Sequence, residues 1–181
     1  MFVKEIMTRE VVRCTPEDTV CHAANLMKVH GIGAIPVVWN LADPLVEGMV
    51  TDRDLCCGVL ADGKRGETVK VAEIMTPVPV TCEPGATIDE CEELMQENQV
   101  RRIPVVDKRG RCTGIVALAD IALHARAMEV ATTVKEISRP TKEVPQRIFE
   151  KDRFYCGQSH EEDEILLLNR RREMHRRVKA V

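Results

Sequence analysis

The segment GMVTDRD at residues 48–54 carries the side chains best suited to bind a small ligand. A strand is expected to end and a helix to begin at Thr51, so the first N–H groups of that helix would face outward without partners and attract an anion. Thr51 offers a hydroxyl, and Asp54 can accept hydrogen bonds from both hydroxyls of a ribose. Because a carboxylate repels phosphate but pairs well with a diol, the segment suits a nucleotide better than a bare phosphate.

The same residues also fit a purely structural role. The pattern T-x-x-D is close to a helix capping box, in which Thr51 caps the helix and Asp54 stabilises its first turn. The four residues by themselves favour neither interpretation.

Eight cysteines offer thiol chemistry, but their spacing argues against most of it. There is no C-x-x-C pair, and the five histidines do not lie near cysteines at ligand spacing, so we expect no metal site. Cys14 follows Val12 at strand spacing, which is typical of a small core residue. The adjacent Cys56 and Cys57 allow one alternative, a redox protein or enzyme, although we expect both to pack in the core as reduced thiols.

The chain contains an internal duplication, and three segments of the first copy recur in the same order in the second. The offset is 68 residues for the first two segments and 66 for the third, because the first copy has a longer hairpin loop. The matching segments are VKEIMT (3–8) with VAEIMT (71–76), IPVV (35–38) with IPVV (103–106), and GMVTDRDL (48–55) with GIVALADI (114–121).

Each copy has the pattern of a short strand, a helix, two strands and a second helix. In the first copy Gly31 is expected to end the first helix, and in the second Thr87 is expected to cap it. The predicted fold is α/β of the α+β type, with β-α-β-β-α repeats at 1–63 and 69–126. Since one such unit buries too little surface alone, the two should pack sheet to sheet about a pseudo-twofold axis.

The EIMT opening and the hydrophobic-Pro-Val-Val strand occur twice over residues 2–126. Both copies add a strand-to-helix junction, which is G-hydrophobic-x-T-x-x-D in the first and has Ala117 in place of the threonine in the second. This ordered set resembles a tandem CBS (cystathionine-β-synthase) domain pair, and GMVTDRD and VRRIPVVD are most similar to stand-alone bacterial CBS-pair proteins. The resemblance implies a dimeric, disc-like, non-enzymatic regulatory module that binds adenosine-containing ligands between its repeats.

The resemblance also implies which residues would contact a ligand, in two clefts. A primary nucleotide site would contain Met49, Thr51, Asp54, Thr76, Val80, Val100 and Arg101, with the arginine on phosphate and the apolar residues around adenine. A secondary, weaker site would contain Thr8, Arg102 and Asp120.

The two copies differ at residues that decide which of the two nucleotide sites is the stronger. Ala117 stands in the second copy where the first has Thr51, which removes a hydroxyl worth about 1 kcal/mol as a cap or ligand contact. Conversely, the first copy has no charge at the positions of Arg101 and Arg102. We therefore expect one dominant site at Asp54, assembled from both copies.

Residues 127–181 lie outside the duplication and are predicted to form a linker followed by a charged C-terminal helix. Ser159 and Glu162 form a capping box for that helix. Its basic residues, between Arg170 and Lys179, allow three interpretations: a solvated helix end, a contact with the acids of a second subunit, or a nucleic-acid patch. The last is the weakest of the three.

Composition limits the classes of partner. A net charge of −3 gives no overall attraction for nucleic acid or an anionic membrane, and no apolar run approaches the roughly 20 residues of a membrane span. We expect a cytoplasmic homodimer that senses AMP, ADP or ATP, with NAD or S-adenosylmethionine as other candidates, requires no cofactor, and acts on a regulated protein that the sequence does not name. The alternative is a structural dimerisation or protein-interaction module with vestigial ligand sites.

Overall fold

The computed structural model describes residues 1–140. The first copy forms α1 (Val3–Ile6), α2 (Val20–His30), β1 (Ala34–Val38), β2 (Val46–Thr51) and α3 (Asp52–Leu55), which continues into a π-helical turn (Cys56–Leu60). The second copy forms α4 (Val71–Ile74), β3 (Thr76–Pro77), α5 (Ile88–Asn98), β4 (Arg102–Val106), β5 (Cys112–Ala117) and α6 (Leu118–Ala122), and α7 (Ala127–Ile137) follows it. In this described part of the chain, no helix combines the length and the apolar character needed to cross a membrane.

The end of α2 and the start of α5 lie where the sequence predicts. Thr19 Oγ1 accepts a hydrogen bond from His22 N at 3.1 Å at the start of α2. Thr87 and Glu90 form a reciprocal capping box at the start of α5, with distances of 2.7 and 3.2 Å. Gly31 ends α2 with a φ of 64°, a left-handed conformation that glycine adopts without strain. The predictions for Gly31 and Thr87 are confirmed.

Two antiparallel hairpins carry the cores of the two halves. In the first, β1 pairs with β2 so that Ile35 lies opposite Val50, and in the second β4 pairs with β5 so that Ile103 lies opposite Val116. All four side chains are fully buried. The loop of the first hairpin is the longer of the two, as the change of offset between the copies predicts.

The opening segment of each copy pairs with the hairpin of the other copy. Thr76, in the opening segment of the second copy, lies opposite Met49 of β2. Thr8, at the equivalent place in the first copy, pairs with Ile115 of β5 through two hydrogen bonds of 2.9 and 3.0 Å. The crossed pairing repeats on both sides and relates the two copies by an approximate twofold symmetry.

The same exchange occurs in the hydrophobic cores. Val3 of the first copy is completely buried in a cluster whose other members, such as Met95 and Ile103, come from the second copy and α7. Val71 of the second copy is completely buried among residues of the first, such as Ile35. Each half of the fold therefore combines most of one copy with the opening segment of the other.

The helix α7 packs on α5 and extends the second half. Ile137 joins the second core, and Thr133, which is 1% exposed, donates a hydrogen bond of 2.9 Å to Glu92 Oε1. A helix therefore stands where the sequence predicts a linker beginning at residue 127. The helix is stabilised by burial of residues four apart along one face, and this burial is not predicted by capping signals in the sequence. The helix predicted from Ser159 lies outside the described residues.

Candidate functional site

A cleft of about 420 Å³, the Asp120 cleft, lies where residues of both copies meet. That volume is within the range of small-molecule sites. Its walls are mainly apolar and include Val11, Val12, Ile32, Pro36 and Ile115. Its polar side chains are those of Thr8, Glu10, Arg102 and Asp120. The three residues assigned to the secondary site, Thr8, Arg102 and Asp120, therefore line one cleft.

The Asp120 carboxylate has one oxygen committed to the backbone. Its Oδ2 accepts a hydrogen bond of 2.8 Å from Ala117 N, at the junction between β5 and α6. The other oxygen makes no hydrogen bond with the described residues, and the residue is only half-buried. Asp120 can thus hold the start of α6 and still accept hydrogen bonds from a ligand diol.

The Thr51 to Asp54 junction forms the capping box that the spacing allows. Asp54 Oδ2 accepts hydrogen bonds from Thr51 N at 2.8 Å and from Thr51 Oγ1 at 2.7 Å, and Asp54 N donates to Thr51 Oγ1 at 3.3 Å. The Thr51 hydroxyl is therefore engaged within the protein. The free oxygen of Asp54 remains the polar atom of this pair best placed for a ligand.

The first N–H groups of α3 also have partners. Asp52 N donates to Gly33 O at 3.1 Å, Arg53 N donates to Asp52 Oδ1 at 2.8 Å, and Asp54 N donates to Thr51 as described. The expectation of unsatisfied N–H groups at this junction is wrong, because the loop before β1 and the side chains of the turn occupy them. A phosphate near Asp54 would have to be held by cationic side chains.

The duplication assigns a counterpart of the Asp120 cleft to the other side of the approximate symmetry, and this candidate site is called the Asp54 cleft. Met49, 8% exposed, lies opposite Thr76 across the pairing of β2 and β3, and Thr51 ends the same strand. This pairing brings together three of the residues predicted to surround a ligand at Asp54.

Two further predicted residues of the primary site belong to the second half. Val80 and Val100 pack against the core cluster of that half. They correspond in the duplication to Val12 and Ile32, which line the Asp120 cleft. Their place in the Asp54 cleft rests on this correspondence.

The two adjacent arginines occupy different positions. Arg101 is exposed, and its carbonyl oxygen accepts a hydrogen bond of 2.9 Å from Leu118 N, so its backbone lies beside α6. Arg102 extends toward the first copy, where its Nη2 lies 3.8 Å from the position that a Cβ on Gly33 would occupy. The ion pairs of residues 1–140 do not include either guanidinium, and the Asp52 carboxylate lies near the same Gly33 position as Arg102.

Two charged residues near the clefts escaped the motif analysis. Glu10 lines the Asp120 cleft, and its counterpart in the other copy is the uncharged Val78. Arg53 follows the first residue of α3, and its counterpart is Ala119, which lines the Asp120 cleft. Both lie outside the positions that define the repeat motif, but a comparison of the copies at every position reveals them.

The thiols of the described residues divide into four buried and three exposed ones. Cys56 and Cys57 are exposed on the π-helical turn, so the expectation that they pack in the core is wrong. Cys14 is buried, and burial, together with the nearby Asp18 carboxylate, raises the pKa of its thiol to about 12. Within residues 1–140, no three His, Cys, Asp or Glu side chains are grouped to hold a metal ion.

Comparison with known proteins identifies the class. The sequence matches the CBS domain over residues 3–59 and again over residues 71–126. The chain therefore belongs to the CBS-domain family, and the resemblance seen in its motifs is confirmed.

Among curated relatives, the CBS domain-containing protein YhcV of Bacillus subtilis is 40% identical over 129 residues, which cover 71% of this chain and 89% of that protein. Among solved structures, Hypoxic Response Protein I with two coordinated zinc ions has a TM-score of 0.62 at 35% identity, covering 70% of this chain and all of the other.

A third similar structure is the CBS domain pair of protein MJ0100 in complex with 5′-methylthioadenosine and S-adenosyl-L-methionine. Its TM-score is 0.61 at 26% identity, and the match covers 68% of this chain and 94% of the other. These structures confirm the predicted fold class, a pair of CBS repeats with mixed helices and strands.

Proposed function

We propose that this protein is a non-enzymatic sensor that binds an adenosine-containing ligand between its two CBS repeats. The observation that carries the proposal is the Asp120 cleft, which both copies line and which combines apolar walls with a carboxylate oxygen that the described residues leave free. Apolar walls suit a purine base, and the carboxylate suits the ribose hydroxyls. The ligands bound by the MJ0100 pair, both adenosine derivatives, support this class of ligand.

The proposal covers both clefts, and the ligand of the Asp54 cleft is a phosphorylated nucleotide such as AMP, ADP or ATP. Arg102 lies at the boundary between the copies, and Arg53 lies beside Asp54, so cationic side chains are present where α3 offers no free N–H groups. Ligand occupancy would favour one packing of the two copies over another. A cytoplasmic location, where adenine nucleotides are abundant, is part of this proposal.

The alternative function is a dimerisation or protein-interaction module, and one observation favours association in either case. Leu60 ends the π-helical turn that follows the first hairpin and Leu123 directly follows α6, and they are 72% and 80% exposed. Large apolar side chains exposed on related segments are typical of an interaction surface. We propose that this surface forms a homodimer and transmits ligand occupancy to a regulated protein.

Thermal unfolding of the full chain with AMP, ADP, ATP, NAD or S-adenosylmethionine tests the function. At a ligand concentration 100 times the dissociation constant, binding should stabilise the fold by about 2.7 kcal/mol and raise the melting temperature measurably. Asp54→Ala and Asp120→Ala should reduce the shifts of the ligands that each cleft binds. Glu97→Ala, on the exposed face of α5, is the matched control and should leave every shift unchanged.

Two outcomes would contradict the proposal. A melting temperature that no adenosine compound changes would favour the interaction module. A shift that persists undiminished in the double variant Asp54→Ala, Asp120→Ala would show that the ligand binds elsewhere on the chain.

A further inference from the structure

The residues assigned to the two clefts differ in their charge. The Asp120 cleft is lined by two acids, Glu10 and Asp120, and by one base, Arg102. The duplication gives the Asp54 cleft a less negative balance, because Val78 takes the place of Glu10 and Arg53 takes the place of Ala119. The corresponding residues there include one acid, Asp54, and two bases, Arg53 and Arg102, the last of which also lines the Asp120 cleft. A second acid, Asp52, lies near the same Gly33 as Arg102.

The charges of the Asp120 cleft are not neutralised inside the protein. The ion pairs of the described residues include none of Glu10, Arg102 and Asp120, and Glu10 forms no side-chain hydrogen bond there. Asp120 is half-buried, so its charge acts strongly on a ligand, whereas Glu10 is exposed and solvent screens part of its effect. A triphosphate in this cleft would meet two negative charges and one positive charge.

From these contrasts we infer that the Asp120 cleft takes an adenine nucleoside without phosphate, with an uncharged or cationic group at the 5′ position, whereas the Asp54 cleft takes a phosphorylated nucleotide. The inference rests on the proposed function and divides its ligands between the two clefts. The base lies against Ile32 and Ile115, Asp120 accepts from the ribose hydroxyls, and Glu10 faces the 5′ group. The protein then responds to two ligands that differ in charge.

Isothermal titration of the full chain with 5′-methylthioadenosine, S-adenosylmethionine and ATP tests this division. Asp120→Ala should weaken binding of the two phosphate-free ligands at least about tenfold and leave ATP unchanged. Asp54→Ala should weaken ATP to a similar extent and leave the other two unchanged. The affinities for uncharged 5′-methylthioadenosine and for the sulfonium S-adenosylmethionine are compared in the native chain and in Glu10→Gln. The change in their ratio measures the contribution of the Glu10 charge.

A transfer of charge between the clefts provides a second test. The double variant Glu10→Val, Ala119→Arg gives the Asp120 cleft the residues of its counterpart, and Ala119→Arg alone covers the case in which the double variant fails to fold. Either variant, in an Asp54→Ala background, should bind ATP about tenfold more tightly than that background.

The failures of the two ideas are distinct. ATP that competes with 5′-methylthioadenosine for the Asp120 cleft at similar affinity would overturn the division of ligands and leave the proposed function standing. The absence of titration heat from all three compounds would overturn the proposed function itself, and the division with it.

Discussion

At the residue scale, each aspartate at a strand-to-helix junction can use one carboxylate oxygen to hold the backbone and the other to bind a ligand. Asp54 and Asp120 each use Oδ2 to hold the backbone N–H three residues earlier, at 2.8 Å in both cases. The remaining oxygen is available to a ligand. A structural role and a binding role, which the motif alone leaves as alternatives, are compatible in one side chain.

This division predicts unequal costs of removing the two carboxylates. Asp54→Ala should lower the free energy of unfolding by about 1 to 2 kcal/mol, because it also removes the hydrogen bond from the Thr51 hydroxyl. Asp120→Ala should cost less, because Ala117 offers only its N–H. Urea unfolding without ligand measures both, with the two Asp→Asn variants as controls that keep an acceptor. A larger cost at Asp120 would contradict this account.

The residues that sequence reasoning found and missed differ for a physical reason. Thr51 and Asp54 belong to a local motif, so their geometry is fixed within one turn of the chain. Glu10 and Arg53, which the motif analysis missed, lie outside the repeat motif, and their relation to a cleft depends on packing that a linear pattern does not contain. Only the folded structure shows which of these side chains lie beside a cleft.

At the element scale, the contact between α5 and α7 contains a carboxylate that is nearly excluded from water. Glu92 is 5% exposed and accepts a hydrogen bond from Thr133, which also accepts one from Gln96 at 2.9 Å. Burial raises the pKa of Glu92 above its ordinary value of 4.5, the Thr133 hydrogen bond lowers it by a smaller amount, and the nearby acids Glu129 and Asp89 raise it further.

The raised pKa predicts a specific dependence of stability on pH. The folded chain holds the Glu92 proton more tightly than the unfolded chain, so this residue favours folding below pH 4.5 and loses that contribution as pH rises through its folded pKa. Glu92→Gln should therefore gain stability relative to the native chain as pH rises above 4.5, and the difference should then level off.

Chemical unfolding at a series of pH values measures this difference. Glu93→Gln, on the exposed side of the same helix, is the control and should not reproduce it. A difference between the native chain and Glu92→Gln that stays constant from acid to neutral pH would contradict the account.

Helices and strands that carry capping residues or apolar runs of their own are predictable from the sequence. A helix stabilised by packing against a segment distant in the sequence is not. Gly31 and Thr87 mark helix ends with their own chemistry, and the hairpins carry continuous apolar strands. By contrast, α7 follows Arg126, whose side chain forms no capping hydrogen bond, and its buried face becomes visible only against α5.

At the scale of the whole molecule, the exchange of opening segments makes the two copies interdependent. The duplication cannot reveal this exchange, because the EIMT segments of the copies are nearly identical and either one could pair with either hairpin. The structure places Val3 in the core of the second half and Val71 in the core of the first. Each half of the fold thus contains residues of both copies, and a ligand that contacts both copies adds to this existing connection.

The exchange predicts that each opening segment protects the other copy. Val3→Ala should cost about 2 kcal/mol and increase amide hydrogen exchange in residues 82–106, whereas Val71→Ala should act mainly on residues 14–51. Each variant is the matched control for the other, because both valines are completely buried. Hydrogen exchange followed by mass spectrometry locates the effects. Loss of protection within the mutated copy alone would contradict the crossed arrangement.

The central claim is that an adenosine-containing ligand binds between the two copies and contacts both. Amide hydrogen exchange of the full chain, with and without saturating 5′-methylthioadenosine or ATP, tests this claim most directly. We predict that 5′-methylthioadenosine protects residues 8–12 and 31–36 together with residues 115–120, and that Asp120→Ala abolishes this protection. Protection confined to one copy, or no protection by either ligand, would contradict the claim.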